Sequence, residues 1–202
     1  MIKKLFNPYI FIAGGASLFI GLAVILATSI IGHFSNIHFP DVLSAKVSPG
    51  FPLHFCIAQN LINWIITSLI MYLIAAPFSK TTVRIIDIAG TFALARAPYL
   101  IAATIGFFPA LQNFGQYILW KTMKQGNPMI MSPGSITLAI FLIIIMLLLT
   151  IWMVTLMYNG FKISANLKEP KSALLFVTGL VLSIIATLII NNQLYHILIH
   201  TS

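Results

Sequence analysis

A chain of 202 residues that is 59% hydrophobic and only 7% charged cannot cover a soluble globule with polar surface, because soluble domains carry about a quarter charged residues. Its mean hydropathy of +1.01 points the same way, to an integral membrane protein. The net charge of +8 comes from eleven Lys and Arg against three acids, scattered between apolar runs. Nucleic-acid binding needs a dense basic face, so nucleic acid is excluded as a partner. Cys56 is the single cysteine, which excludes an intrachain disulfide and a multi-cysteine metal site.

Crossing roughly 30 Å of hydrocarbon takes about 20 mostly apolar helical residues. The start, "MIKKLFNPYIFIAGG", has the lysine pair of a secretory signal, but its apolar run exceeds the roughly 7–15 residues of a signal core. It reads as an uncleaved anchor, with a first span over 9–33. Pro40, Pro49, Gly50 and Pro52 break the loop that follows. The second span, 54–78, places Asn60, Asn63 and Thr67 on one face at i, i+3 and i+7, a stripe suited to interhelical hydrogen bonds. Pro77 ends it.

The third span, 86–108, carries Arg96 in its middle. An unpaired charge there costs at least ~2.5–3.5 kcal/mol, so Arg96 is expected to face protein or water. Ala89, Ala93 and Ala103 share its face, and small residues let a neighbouring helix come close. Its guanidinium is expected to lean toward the start of its own helix, near Thr67 and Ser68 in depth and within reach of Glu169. Pro98 cannot donate to Leu94, which frees that carbonyl. Asp87 is better placed to meet Arg84 at i, i+3.

The stretch "PALQNFGQYILWKTMKQ" sets Leu111, Phe114, Ile118 and Met123 on one face and reads as a short surface helix; a plain hydrated loop is the alternative. Asn127-Pro128 and Pro133-Gly134 precede the fourth span, 135–160. Its segment "LAIFLIIIMLLL" has a single small residue, Ala139, so much of it is expected to face lipid. Glu169-Pro170 opens the way to the fifth span, 172–198, which repeats Gly179, Ser183, Thr187 and Asn191 at steps of four, a second small-polar stripe. No linker or repeat divides the chain, so 1–202 is one domain: an all-α, polytopic bundle of five transmembrane helices.

Orientation follows the Lys/Arg bias of the short loops. With the N-terminus inside, Lys3, Lys4, Lys80, Arg84, Lys162, Lys168 and Lys171 are cytoplasmic, against Lys46, Lys121 and Lys124 outside. This makes the C-terminus external. The same placement gathers His33, His38, His54, His196 and His200 on the outer side, where imidazole suits a wet interface. His196 and His200, at i, i+4, have one spacing that metal ligands use, without an ordered carboxylate partner set. Gly-x-Ser-x-Gly, His-Glu-x-x-His and Gly-x4-Gly-Lys-Ser/Thr are all missing, and no acid pair lies within a span. A non-enzymatic protein without cofactor or metal is expected.

Two stretches, "IDIAGTFALARAPYLIAATIGFF" and "IWMVTLMYNGFKISANLKEPKSALLFVTGL", resemble the membrane domain of the Yip (Ypt/Rab-interacting protein) family. The likeness rests on a glycine and a mid-helix proline in the third span. It also rests on a tryptophan-bearing helix that ends in a Tyr/Gly turn before an Ala-Leu-rich last helix. Gly90, Pro98, Trp152, Gly160 and Ala173 are the landmarks it carries over. The long N-terminal region and Asp-Leu-Tyr-Gly-Pro motif of eukaryotic members are missing, so the short bacterial type is the better likeness. It implies five spans in a bacterial inner membrane, with the bilayer and other membrane proteins as partners. The rival reading is a small transporter or transporter subunit that works through Arg96 and the polar faces of its neighbours.

Overall fold

The structure, a computed structural model, describes residues 7–10, 12, 14–48, 50–79, 81–124 and 130–200, and of residues 10, 123 and 198–200 the backbone alone. Lys3, Lys4, Pro49, Lys80, Asn127 and Pro128 lie outside the described residues. In chain order the helices are α1 (Gly14–Ser35), α2 (Leu53–Ala75), α3 (Ile85–Ala95), α4 (Ala97–Ile105), α5 (Pro109–Met123), α6 (Pro133–Ala165) and α7 (Lys171–His200). Two short strands, β1 (Ile37–His38) and β2 (Lys46–Val47), pair antiparallel. Taking α3 and α4 as one broken span, five helices are long and apolar enough to cross a membrane. The protein is an all-α polytopic membrane protein.

The ends follow local chemistry. Pro133 occupies the first turn of α6, where its missing N–H costs nothing, and the Ser132 hydroxyl accepts from Ser135 N at 3.2 Å. Asn166 ends α6 and Lys124 ends α5, both in the left-handed conformation. The third span, expected as one helix, breaks just before Pro98, which cannot donate to Leu94 O. Arg96 has φ −77° and ψ 0°, and Tyr99 N bonds Arg96 O at 2.9 Å in a tightened turn.

The broken third span is central: 67% of its most apolar window is buried, against 22% for α6. Ala93 and Ala103 are fully enclosed, and small residues carry α1 across α3. A Cβ added to Gly21 would lie 2.4 Å from Ala93 Cβ, and one on Gly90 would lie 2.5 Å from Ser17 Oγ. In α6, residues Ile140, Phe141, Ile143, Ile144, Leu147 and Leu148 are exposed while Ala139 is buried. The outward turn of this segment matches its lack of small residues. α7 packs on α2, where Gly179 faces the Met71 sulfur.

The segment expected as either a surface helix or a loop is the helix α5. Leu111 is buried on its inner face and Gln112 donates to Gly106 O at 2.9 Å. Lys121 and Lys124 lie over the rings of Tyr117 and Trp120, an arrangement suited to a membrane boundary.

The segment between α1 and α2 departs from expectation. Read as a plain external loop with Asp41 outside, it folds back into the bundle at the connection between β1 and β2. Phe39, Asp41 and Val42 are all buried. Asp41 closes the turn by accepting from Leu43 N at 2.8 Å and Ser44 N at 3.0 Å, a use of Asp that favours turns. This segment marks one end of the bundle, the loop end.

Candidate functional site

Arg96 sits at the helix break, 2% exposed. Its Nη2 donates to Asn60 Oδ1 at 2.9 Å. The Asn60 amide nitrogen in turn donates to Ser29 Oγ at 3.0 Å and to Cys56 O at 3.2 Å. Ser29 Oγ donates to Ile25 O at 2.9 Å. The guanidinium carbon also lies 5.6 Å from the Tyr99 ring centre, within range for a cation–π attraction. Tyr99 stacks on Phe39 at 5.0 Å, and its hydroxyl donates to Leu43 O. Arg96 thus joins α1, α2 and the folded-back segment around one charge.

The direction of the side chain is opposite to the expected one. Gly21 meets Ala93, and Gly106 meets Ser35, so the Arg96 backbone is level with about residue 24 of α1. Its partner Asn60 bonds Ser29, about a turn and a half nearer the loop end. The N-terminal lean of helical side chains presumes regular helix, and Arg96 occupies the break. Its acceptors, moreover, lie at the loop end. Glu169 lies at the other end, where Lys162 donates to it at 2.6 Å and Tyr158 at 3.1 Å. Among the described residues this Lys162–Glu169 contact is the ion pair present; Arg84 and Asp87 do not form the one expected of them.

A second network fixes the folded-back segment. Asn63 donates to Phe39 O at 2.7 Å and to Asp41 O at 3.0 Å. Asn191, from α7, donates to Pro40 O at 2.8 Å and to Asn63 Oδ1 at 2.7 Å. Gln59, which the sequence reading did not single out, accepts from Phe39 N at 3.0 Å. Its position four residues before Asn63, on the same face, was the available signal. Three amides therefore satisfy backbone groups that would otherwise be stranded away from water.

The remaining stripe residues are buried but play another part. Thr67 bonds Asn63 O at 2.6 Å, Ser183 bonds Gly179 O at 2.7 Å, and Thr187 bonds Ser183 O at 2.7 Å. Each hydroxyl is answered by its own helix four residues back, so none needs a neighbouring helix. Of the resemblance landmarks, Gly90 and Gly160 are close-approach positions, Gly160 facing Thr91. Pro98 is buried at the start of α4, and Trp152 and Ala173 are half-buried.

Beside the second network, at the loop end, a cavity of about 230 Å³ opens between His38, Lys46, Phe51, Gln59, Asn191 and Tyr195. Burial pushes the His38 imidazole below its ordinary value, Gln59 opposes that shift, and Lys46 adds to it. His33 bonds Phe51 O at 2.9 Å, while His54 and His196 are exposed. The His200 side chain lies outside the described residues. Among the described residues no three His, Cys, Asp or Glu side chains gather where a metal ion would fit.

Comparison with protein families, characterised proteins and solved structures finds no match for the chain.

Proposed function

We propose that this chain is a non-enzymatic, Yip-like protein of a bacterial inner membrane, N-terminus inside and C-terminus outside, that organises the bilayer or binds other membrane proteins. The observation that carries this reading is how Arg96 is used. Its bond goes to Asn60, whose own amide is answered by Ser29 and Cys56. An arginine serving a transported anion would instead line a water path, and Arg96 is buried. The loop-end cavity is walled by Gln59 and Asn191, and Arg96 is not among the residues that line it. The lipid-facing surface of α6 and the basic bias of the loops opposite the loop end support a role played at the bilayer itself.

Arg96→Leu tests the reading. It removes the donor to Asn60 Oδ1 in a buried site, and each buried unpaired group costs ~1–3 kcal/mol. Lower folded yield in detergent and a lower Tm are expected. The double variant Arg96→Leu/Asn60→Leu should recover part of the loss, because the stranded Asn60 carbonyl is gone and Ser29 Oγ keeps its bond to Ile25 O. If Arg96→Leu accumulates and melts like the parent but loses a transport or binding activity, the transporter reading replaces this one.

A further inference from the structure

At the end opposite the loop end, a cavity of about 270 Å³ lies between Phe78, Asn166, Leu167, Lys168, Glu169 and Lys171. We propose that it holds the headgroup of an anionic phospholipid, with the phosphate between Lys168 and Lys171. The inference rests on, and deepens, the reading of a protein that acts at the bilayer.

Depth is the first argument. α2 ends at Ala75, α6 ends at Ala165 and α7 begins at Lys171. The cavity walls therefore lie just past the ends of three spans, where headgroups succeed the hydrocarbon. Charge is the second. The one carboxylate in the wall, Glu169, is taken up by Lys162 and Tyr158, and those two bonds hold it below the ordinary carboxylate range. Lys168 and Lys171 have no carboxylate within ion-pair distance among the described residues. Arg84, exposed at the start of α3 on the same end, adds a third uncompensated cation.

Shape is the third argument. The Lys171 ammonium lies 4.5 Å from the Phe78 ring centre, and Leu167 is buried beneath. A site with cations at its rim and apolar groups in its wall matches a phosphate joined to a glycerol ester better than a free anion. The helix α7 also starts at Lys171, and the positive end of its dipole adds to the attraction. The volume is several times the ~30 Å³ share of one water molecule, enough for a phosphate group.

The test is native mass spectrometry of the full chain, released from micelles with equal phosphatidylglycerol and phosphatidylcholine. Each lysine near an anionic headgroup is worth ~1 kcal/mol, or about fivefold. The parent should retain phosphatidylglycerol in preference, and Lys168→Gln/Lys171→Gln should lose at least about fivefold of that preference at an unchanged Tm. Lys168→Arg/Lys171→Arg should keep it, as should Lys121→Gln/Lys124→Gln on α5. No preference in the parent overturns the proposal, as does one that survives Lys168→Gln/Lys171→Gln. Equal losses from the two Lys→Gln pairs would mean diffuse charge rather than a site, and also overturn it. Displacement of the lipid by millimolar inorganic phosphate would make a free anion the ligand and the lipid assignment wrong. None of these outcomes moves the Arg96→Leu melting result, so the two readings fail separately.

Discussion

Gly21→Leu is expected to give little or no folded protein in detergent, the largest effect of any single substitution in α1. A Cβ at this position would lie 2.4 Å from Ala93 Cβ and 2.5 Å from both Ala93 C and Leu94 N. Two of those atoms are backbone of the buried third span and cannot rotate away. Overpacking of this kind costs ~1–3 kcal/mol even where side chains adjust, and here whole helices must part. Separation of α1 from α3 would also pull Ser29 from Asn60, which Arg96 uses. Ala23→Leu, two residues on and exposed, is the control and should melt like the parent. Equal melting of both variants by thermal-shift or size-exclusion analysis would refute the packing described for α1 on α3.

Asn63→Leu should be the most damaging loss of a polar side chain. It strands the carbonyls of Phe39 and Asp41 and removes the acceptor of Asn191. At ~1–3 kcal/mol for each buried group left unpaired, the total is about 3 kcal/mol or more. The folded-back segment 37–42 should then open, seen as protease cleavage between Phe39 and Ser48 that the parent resists. Thr67→Val lies one turn further along the same face but only breaks a bond to its own helix. It should lose far less stability and stay resistant to cleavage. Similar damage from the two substitutions would show that Asn63 has no special hold on the segment.

These contrasts mark what the amino-acid sequence can and cannot display. Apolar length located the five spans, and the small-residue content of individual segments sorted their faces. The alanines and Gly90 of the third span predict a central helix, and the lone Ala139 of the fourth predicts one turned to lipid. Proline chemistry marked the freed carbonyl near Pro98, while the break into two helices at Arg96 was not read from it. What periodicity cannot supply is register between helices. Asn60, Asn63 and Asn191 stand out as a polar set, yet only the crossing of α2 with α1 and α7 decides that Asn60 takes the arginine while the other two take loop carbonyls.

Thr67, Ser183 and Thr187 share the same stripes, but their hydroxyls bond their own helices, while an amide has two N–H donors and a carbonyl and so has groups left over for a neighbour. The folding-back of 37–42 was the larger omission. Prolines and a lone Asp41 read as an exposed loop, while the apolar Phe39 and Val42 and three amides on facing helices were the signs that it is covered. Once that segment is inside, the direction of Arg96 follows, because its attractions then lie at the loop end rather than near Glu169.

The central claim is that Arg96 belongs to a closed, dry network and not to a water path. Thiol accessibility tests it most directly, since Cys56 is the chain's single cysteine and is buried. In a Cys56→Ser background, Ser29→Cys places a thiol beside Asn60 and His54→Cys places one on the exposed start of α2. With a membrane-impermeant thiol reagent on intact cells, His54→Cys should label from outside. Ser29→Cys should remain unlabelled there and in opened membranes until the protein is denatured. Labelling of Ser29→Cys as fast as His54→Cys, in a protein that melts like its background, would mean that water reaches the Arg96 network and would contradict the account.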